Sequence, residues 1–171
     1  MDVTPKTPAL RPWKDLQESL TGSFSVRARG LQANIFVFRK DGSRVGRLRL
    51  EGLRGAEFTA GELAATIERT ADGGYRMFSG NQLILTATAG ASFLEAFELA
   101  CGGHAYAARV SFFRNEATVL SPAATETVRI KGTVTGRRYE VTLDETDAAA
   151  LPAAVLLLYH TAAFRRRAYT A

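Results

Sequence analysis

Residues 144–171 read DETDAAALPAAVLLLYHTAAFRRRAYTA, and how this stretch is housed decides the fold. No residue from Ala148 to Phe164 carries a full charge, and Arg165, Arg166 and Arg167 follow directly. Deep inside a helix Pro152 would lack an N–H and clash with the preceding turn, but it fits the first turn. A helix is therefore expected over about 151–165, with Asp147 just ahead of its positive end. That is about 15 residues and about 22 Å. Crossing a bilayer core takes about 20 residues and about 30 Å, and His160 and Thr161 would lie within the span. A transmembrane segment is not expected.

A surface helix shows one apolar stripe. Here Leu156, Leu157 and Leu158 are consecutive, so they point about 100° apart, and Val155, Tyr159, Ala162 and Phe164 fill the remaining circumference. A helix apolar on every side must be enclosed on every side. Burying Val155, the three leucines and Phe164 is worth on the order of 8–14 kcal/mol, comparable with a whole domain's net stability.

The material available to enclose it is sheet. From Ser23 to Leu143 the hydrophobic pattern has period two. SFSVRAR sets Phe24, Val26 and Ala28 on one face and Ser25, Arg27 and Arg29 on the other. ANIFVFRK runs into Asp41-Gly42, read as a type I′ hairpin turn. RVGRLRLEG returns with Val45, Leu48 and Leu50 inward and Arg47 and Arg49 outward, with a bulge expected at Gly46. GELAATIERT, YRMF and QLILTATA continue as strands. SFLEAFELACGGHAYAARVSFF reads as a hairpin about Gly102-Gly103, with a helix over 92–101 as the alternative. VRIKGTVTG and RRYEVTLDE form a last hairpin, with Tyr139, Val141 and Leu143 inward. The expected fold is mainly β: a closed barrel of about 10–12 antiparallel strands around a central hydrophobic C-terminal helix.

The chain has 171 residues, enough for one domain with a sizeable core. Residues 1–20 hold Pro5, Pro8 and Pro12 and read as a mobile, extended segment; residues 21–167 form the barrel domain. The polar N-terminus has no signal-peptide run, so the cytoplasm is the expected location. Cys101 is the sole cysteine and reads as a buried hydrophobe. Neither it nor His104 or His160 has ligand spacing, so no metal is expected. No phosphate-loop or dinucleotide motif is present, and no cofactor is expected.

In this setting the closing stretch IKGTVTGRRYEVTLDETDAAALPAAVLLLYH resembles the ending of the tubby-like superfamily. That group includes the tubby C-terminal domain, phospholipid scramblases and the LURP-one-related proteins. The likeness lies in a last hairpin with inward Tyr139, an acidic turn at Asp144 and Asp147, and then the buried helix. GNQLILTATAG and GGHAYAARVSFF are compatible with the group's middle strands, so the likeness covers about residues 20–165. It implies a non-enzymatic domain that binds anionic lipid head groups or regulates at a membrane. The cysteine-rich stretch of scramblases is absent, and scrambling is not expected.

Charge is uneven. Residues 1–54 carry a net +6, residues 55–147 a net −4 and residues 148–171 a net +3. Arg27, Arg29, Arg47 and Arg49 fall on outward strand faces with Arg44 nearby, and the planar guanidinium suits phosphate. These five are the candidate anionic-ligand residues, set against the alternative that they are solvated faces protecting sheet edges. A pI of about 9.7 raises nucleic acid as a partner. The core is expected to claim most of Phe36, Phe38, Phe112 and Phe113, which leaves few stacking platforms, so a nucleic-acid partner is not expected. Adjacent Phe112 and Phe113 point to opposite faces, which leaves one of them exposed. Ser92 lacks a nucleophile-elbow context. A small-molecule or enzymatic pocket at the barrel mouth, with His104 and a carboxylate, is the alternative function; His104 has no evident orienting partner. Trp13 is expected to dock on the barrel.

Overall fold

The computed structural model describes residues 8–29, 34–90 and 95–170, and side chains within 9–29, 34–90 and 95–164. Twelve antiparallel strands close into an up-and-down barrel: β1 (Ser23–Arg29), β2 (Asn34–Phe38), β3 (Arg44–Leu50), β4 (Gly55–Ala60), β5 (Leu63–Arg69), β6 (Tyr75–Ser79), β7 (Gln82–Ala89), β8 (Ala96–Cys101), β9 (His104–Ser111), β10 (Glu116–Leu120), β11 (Glu126–Gly132) and β12 (Arg138–Leu143). Each strand pairs with its neighbours in sequence, and β1 closes the ring on β12 through Ser23↔Thr142 to Arg27↔Arg138. Closure removes every free sheet edge. Residues 96–101 are strand, as in the hairpin reading; Phe93 and Ser92 lie outside the described residues. Two strands, β4 and β10, escaped the sequence reading because GAEFTA and EATVL are short and carry one or two large apolar residues apiece.

The barrel's centre is filled by helix α2 (Ala150–Thr170). Every residue from Ala149 to Ala163 is buried, with Leu156, Leu157 and Leu158 each 1% exposed. The helix is longer than the 151–165 expectation, which took the arginine triplet for its end; its backbone continues to Thr170. No helix among the described residues is long and apolar enough to cross a membrane. Toward the exit rim Tyr159 donates to the Gly52 carbonyl (2.9 Å), and the Tyr75 hydroxyl lies 2.6 Å from His160 Nδ1. Phe97 and Phe164 pack their rings 4.7 Å from the His160 ring. His160 is thus a hydrogen-bonded core histidine.

Burying the start of a helix strands its first N–H groups, which must find partners. Three devices meet that need. The Asp147 carboxylate accepts from Ala149 N (2.9 Å), and its carbonyl accepts from Ala150 N (3.1 Å). Pro152 has no N–H to satisfy. The third device comes from 134 residues away: Gln17 Oε1 accepts from Leu151 N at 3.1 Å. The Gln17 amide in turn donates to the carbonyls of Asp144 (3.1 Å) and Asp147 (2.8 Å).

Gln17 belongs to helix α1 (Arg11–Leu20), which follows a short 3₁₀ turn at Pro8–Leu10. The sequence reading placed an extended segment here on account of three prolines. Pro12 sits in the first turn, where it is tolerated, and Trp13, Leu16, Gln17 and Leu20 recur at helical spacing on the covered face. Trp13, Gln17 and Leu20 are buried. Trp13 stacks on the inward ring of Phe58 at 5.3 Å, and its indole N–H points at Ser79 Oγ (3.4 Å). Helix α1 is therefore the lid over the rim where α2 enters. It ends at Thr21, whose backbone is left-handed (φ 53°), before Gly22 (φ 87°) turns into β1.

Two outcomes test this core. Leu157→Ala should lower unfolding free energy by about 2–5 kcal/mol, since the closed barrel cannot collapse onto the cavity. Gln17→Ala should cost about 1–3 kcal/mol, because it strands the buried Leu151 N–H. Denaturant unfolding followed by circular dichroism measures both.

Candidate functional site

The five arginines read from the sequence lie on three adjacent strands, and the pairing register decides which of them meet. Strand β2 lies between β1 and β3. Arg27 is opposite Phe36, which is opposite Arg47; Arg29 is opposite Asn34, which is opposite Arg49. One strand over, Arg138 is opposite Arg27. Because residues side by side across a sheet point to the same face, these rows form one outer surface. Arg27, Arg29, Arg44, Arg47 and Arg49 are all exposed.

They are not equivalent. Arg49 is bonded to the Glu57 carboxylate and lies 3.5 Å from Glu51, so its charge is largely answered. Arg27, Arg29, Arg44 and Arg47 form no ion pair among the described residues. The Arg44 guanidinium lies 4.5 Å from the centroid of the Phe36 ring, and Arg27 lies 5.3 Å from that of Phe38. Such contacts hold the guanidinium planes against an apolar floor while leaving N–H donors free. Asp41, in the turn above, is occupied by the Ser43 amide (2.8 Å) and hydroxyl (2.6 Å), which hold its carboxyl below the usual range. Beside this face a hollow of about 370 Å³ is lined by Ser25, Arg27, Phe38, Arg39, Lys40 and Glu140.

Two readings of this region are corrected. Phe36 and Phe38 are half-buried on the outer face, and the inward positions belong to Ile35 and Val37. Every residue of NIFVF is apolar except Asn34, so alternation carried no signal. The clue available was Arg47, whose outward side fixes that of its partner Phe36. The hairpin also differs from a two-residue type I′ turn. Arg39 and Ser43 pair (2.9 Å), only Gly42 takes a positive φ (89°), and the extra residue is Val45, one place before the expected bulge at Gly46. A three-residue loop with glycine in the left-handed position relieves its mismatch by such a bulge.

A second concavity lies at the lid rim, a cleft of about 1020 Å³ between α1, the β8–β9 turn and the β10–β11 loop. His104, Cys101, Tyr106, Ser121, Lys14 and Asp147 line it. Asp147 already accepts from Ala149 N and from the Tyr106 hydroxyl (2.9 Å). Burial, reinforced by that carboxylate, pushes the Tyr106 hydroxyl upward. His104 is exposed and has no hydrogen-bonding partner among the described side chains. Burial, with Asp147 adding to it, pushes the Cys101 thiol up to about 12. Cys101 is thus held as the thiol, and Asp147 is engaged at the start of α2. Among the described residues no three metal-ligating side chains cluster.

No family model matches this chain, and no curated protein sequence matches it. Among solved structures, the X-ray structure of the Arabidopsis thaliana protein AT5G01750 is similar, with a TM-score of 0.58 over 80% of this chain and 90% of that chain. The two share 10% sequence identity, so the likeness is one of fold. The chain is a closed twelve-stranded barrel with a buried C-terminal helix, and that architecture has a solved counterpart.

The thiol provides a check on the cleft. At about pH 8, where an ordinary cysteine is partly thiolate, Cys101 should resist iodoacetamide in the native protein and react fully in denaturant. Mass spectrometry reads the adduct. Rapid native alkylation would mean that the thiol is open and ionised.

Proposed function

We propose that this chain is a tubby-like, LURP-one-related domain that acts as a non-catalytic binding module for anionic lipid head groups, using the outer face of β1–β3. The observation that carries this reading is the register. Arg27 and Arg47 flank outward Phe36, Arg29 stands beside Asn34, and Arg44 closes over Phe36, with no carboxylate among the described residues pairing to these four arginines. Four uncompensated guanidinium groups around an aromatic floor offer fork-shaped donors to phosphate oxygens and ring surface to the adjoining apolar part of a lipid. The filled barrel argues in the same direction. Helix α2 occupies the lumen, with Ala149 to Ala163 buried, which favours recognition on the outside.

The lid cleft supports a second reading, a small-molecule site at the barrel mouth, on the ground that it brings His104 within one cleft with Asp147. Its carboxylate is committed to capping α2, and this makes it the lesser reading.

Vesicle co-sedimentation tests the first reading. The wild type should bind phosphatidylcholine vesicles only when phosphatidylserine or a phosphoinositide is included, and added salt should weaken binding. Arg27→Glu/Arg47→Glu should lower partitioning by roughly 30-fold or more, at about 1 kcal/mol for each basic residue lost from an anionic surface. Arg49→Glu alone should matter less, because Glu57 already answers that charge. Equal recovery on neutral and anionic vesicles would reject the proposal.

A further inference from the structure

Two large apolar side chains stand almost wholly in water at the rim opposite the lid. Phe113, in the β9–β10 turn, is 99% exposed, and Val134, in the β11–β12 turn, is 89% exposed. Single exposed hydrophobic residues need no explanation, but these two sit on turns that are hydrogen-bonded to each other. Asn115, left-handed (φ 53°) and 2% exposed, lies two residues after Phe113 and bridges the turns. Its side-chain amide donates to the Thr133 carbonyl (2.7 Å), and its own carbonyl accepts from Gly132 N (2.8 Å). The approach is so close that a Cβ on Gly132 would lie 2.0 Å from Asn115 Nδ2. The tips are therefore a fixed pair, and neither folds back on the barrel. Phe112 is the contrast: it turns inward, with its ring 5.7 Å from that of His160.

Charge surrounds the pair. Arg114 follows Phe113, and Lys131, Arg137 and Arg138 flank Val134, all exposed. The acidic groups nearby are Glu116 and Glu95 by Arg114, and Glu140 opposite Lys131. Arg137 and Arg138 form no ion pair among the described residues. The Arg137 carbonyl accepts from Ala28 N (2.9 Å), so the Val134 turn is stitched to β1 and its basic side runs on into Arg29 and Arg27.

We infer that Phe113 and Val134 form an insertion tip that enters the interface of an anionic bilayer, with Arg137, Arg138 and Arg29 at head-group level and the β1–β3 face leaning on the surface. This rests on the lipid reading above and adds to it a depth, a pose and an apolar component. An aromatic ring and a branched aliphatic group in a basic surround match the chemistry of a membrane interface, where apolar burial and attraction to anionic lipid act together. A solvated loop would be expected to place polar residues at these two positions.

The test uses the full chain with vesicles of phosphatidylcholine and phosphatidylserine. Phe113→Ser/Val134→Ser should weaken partitioning by about tenfold or more, with an unchanged unfolding transition, since both positions are solvent-exposed. Phe113→Cys, carrying an environment-sensitive fluorophore with Cys101 buried, should shift to the blue on binding and be quenched by bromine on the acyl chains. Binding that persists while the position-113 label stays aqueous would overturn the tip and leave the arginine face standing. Insertion and loss in the double-serine variant, with Arg27→Glu/Arg47→Glu unaffected, would keep the tip and reject the arginine face. No binding to anionic vesicles would overturn both. A blue shift that grows with protein concentration in the absence of lipid would assign the tip to a second copy of the chain and overturn the membrane assignment.

Discussion

The structure depends on the enclosure of α2. A helix with leucine on three successive positions has no polar side to offer water, so the sheet must close around it. Closure then creates a second demand. The first N–H groups of the helix are buried and must be met by protein, and α1 (Arg11–Leu20) meets part of that need. Gln17 reaches Leu151 N and the carbonyls before it, and Trp13 and Leu20 cover the rim around that contact. The lid, the barrel and the helix are thus one cooperative unit, each unsatisfied without the other two.

A filled centre also directs function. A barrel with a hollow lumen can take a ligand inside; the centre of this one is occupied by α2. At the lid rim the carboxylate of Asp147 is committed to the helix start, and the thiol of Cys101 is held protonated by burial. On the outer face Arg27, Arg29, Arg44 and Arg47 form no ion pair among the described residues, and at the far rim Phe113 and Val134 are exposed. Exposed cationic and apolar groups on these two surfaces are what the proposed anionic-membrane binding would use.

Much of the fold was legible because one signal outweighed every other. The composition of residues 148–164 excludes a surface helix whatever surrounds it, and period two over SFSVRAR, LAATIER and RYEVTL left sheet as the only enclosure. Helix α1 was less legible. Its stripe of Trp13, Leu16, Gln17 and Leu20 is present, but a stripe that includes glutamine reads as a weak face until the partner that buries it is known. Phe36 and Phe38 escaped for a different reason: in NIFVF both faces are apolar, so inward and outward cannot be told apart by pattern.

The sequence by itself determined that a helix apolar on all sides lies inside a closed sheet, because local composition sets what water will tolerate. It also placed Arg27, Arg29, Arg47 and Arg49 on outward faces, because side chains in a strand alternate. Only the tertiary structure decided that these arginines share one surface with Phe36 and Phe38, that Glu57 pairs with Arg49 and that the turns carrying Phe113 and Val134 are bridged by Asn115. Those are matters of cross-strand register and of which turns meet at a rim, and register is set by loop length, bulges and closure of the whole ring.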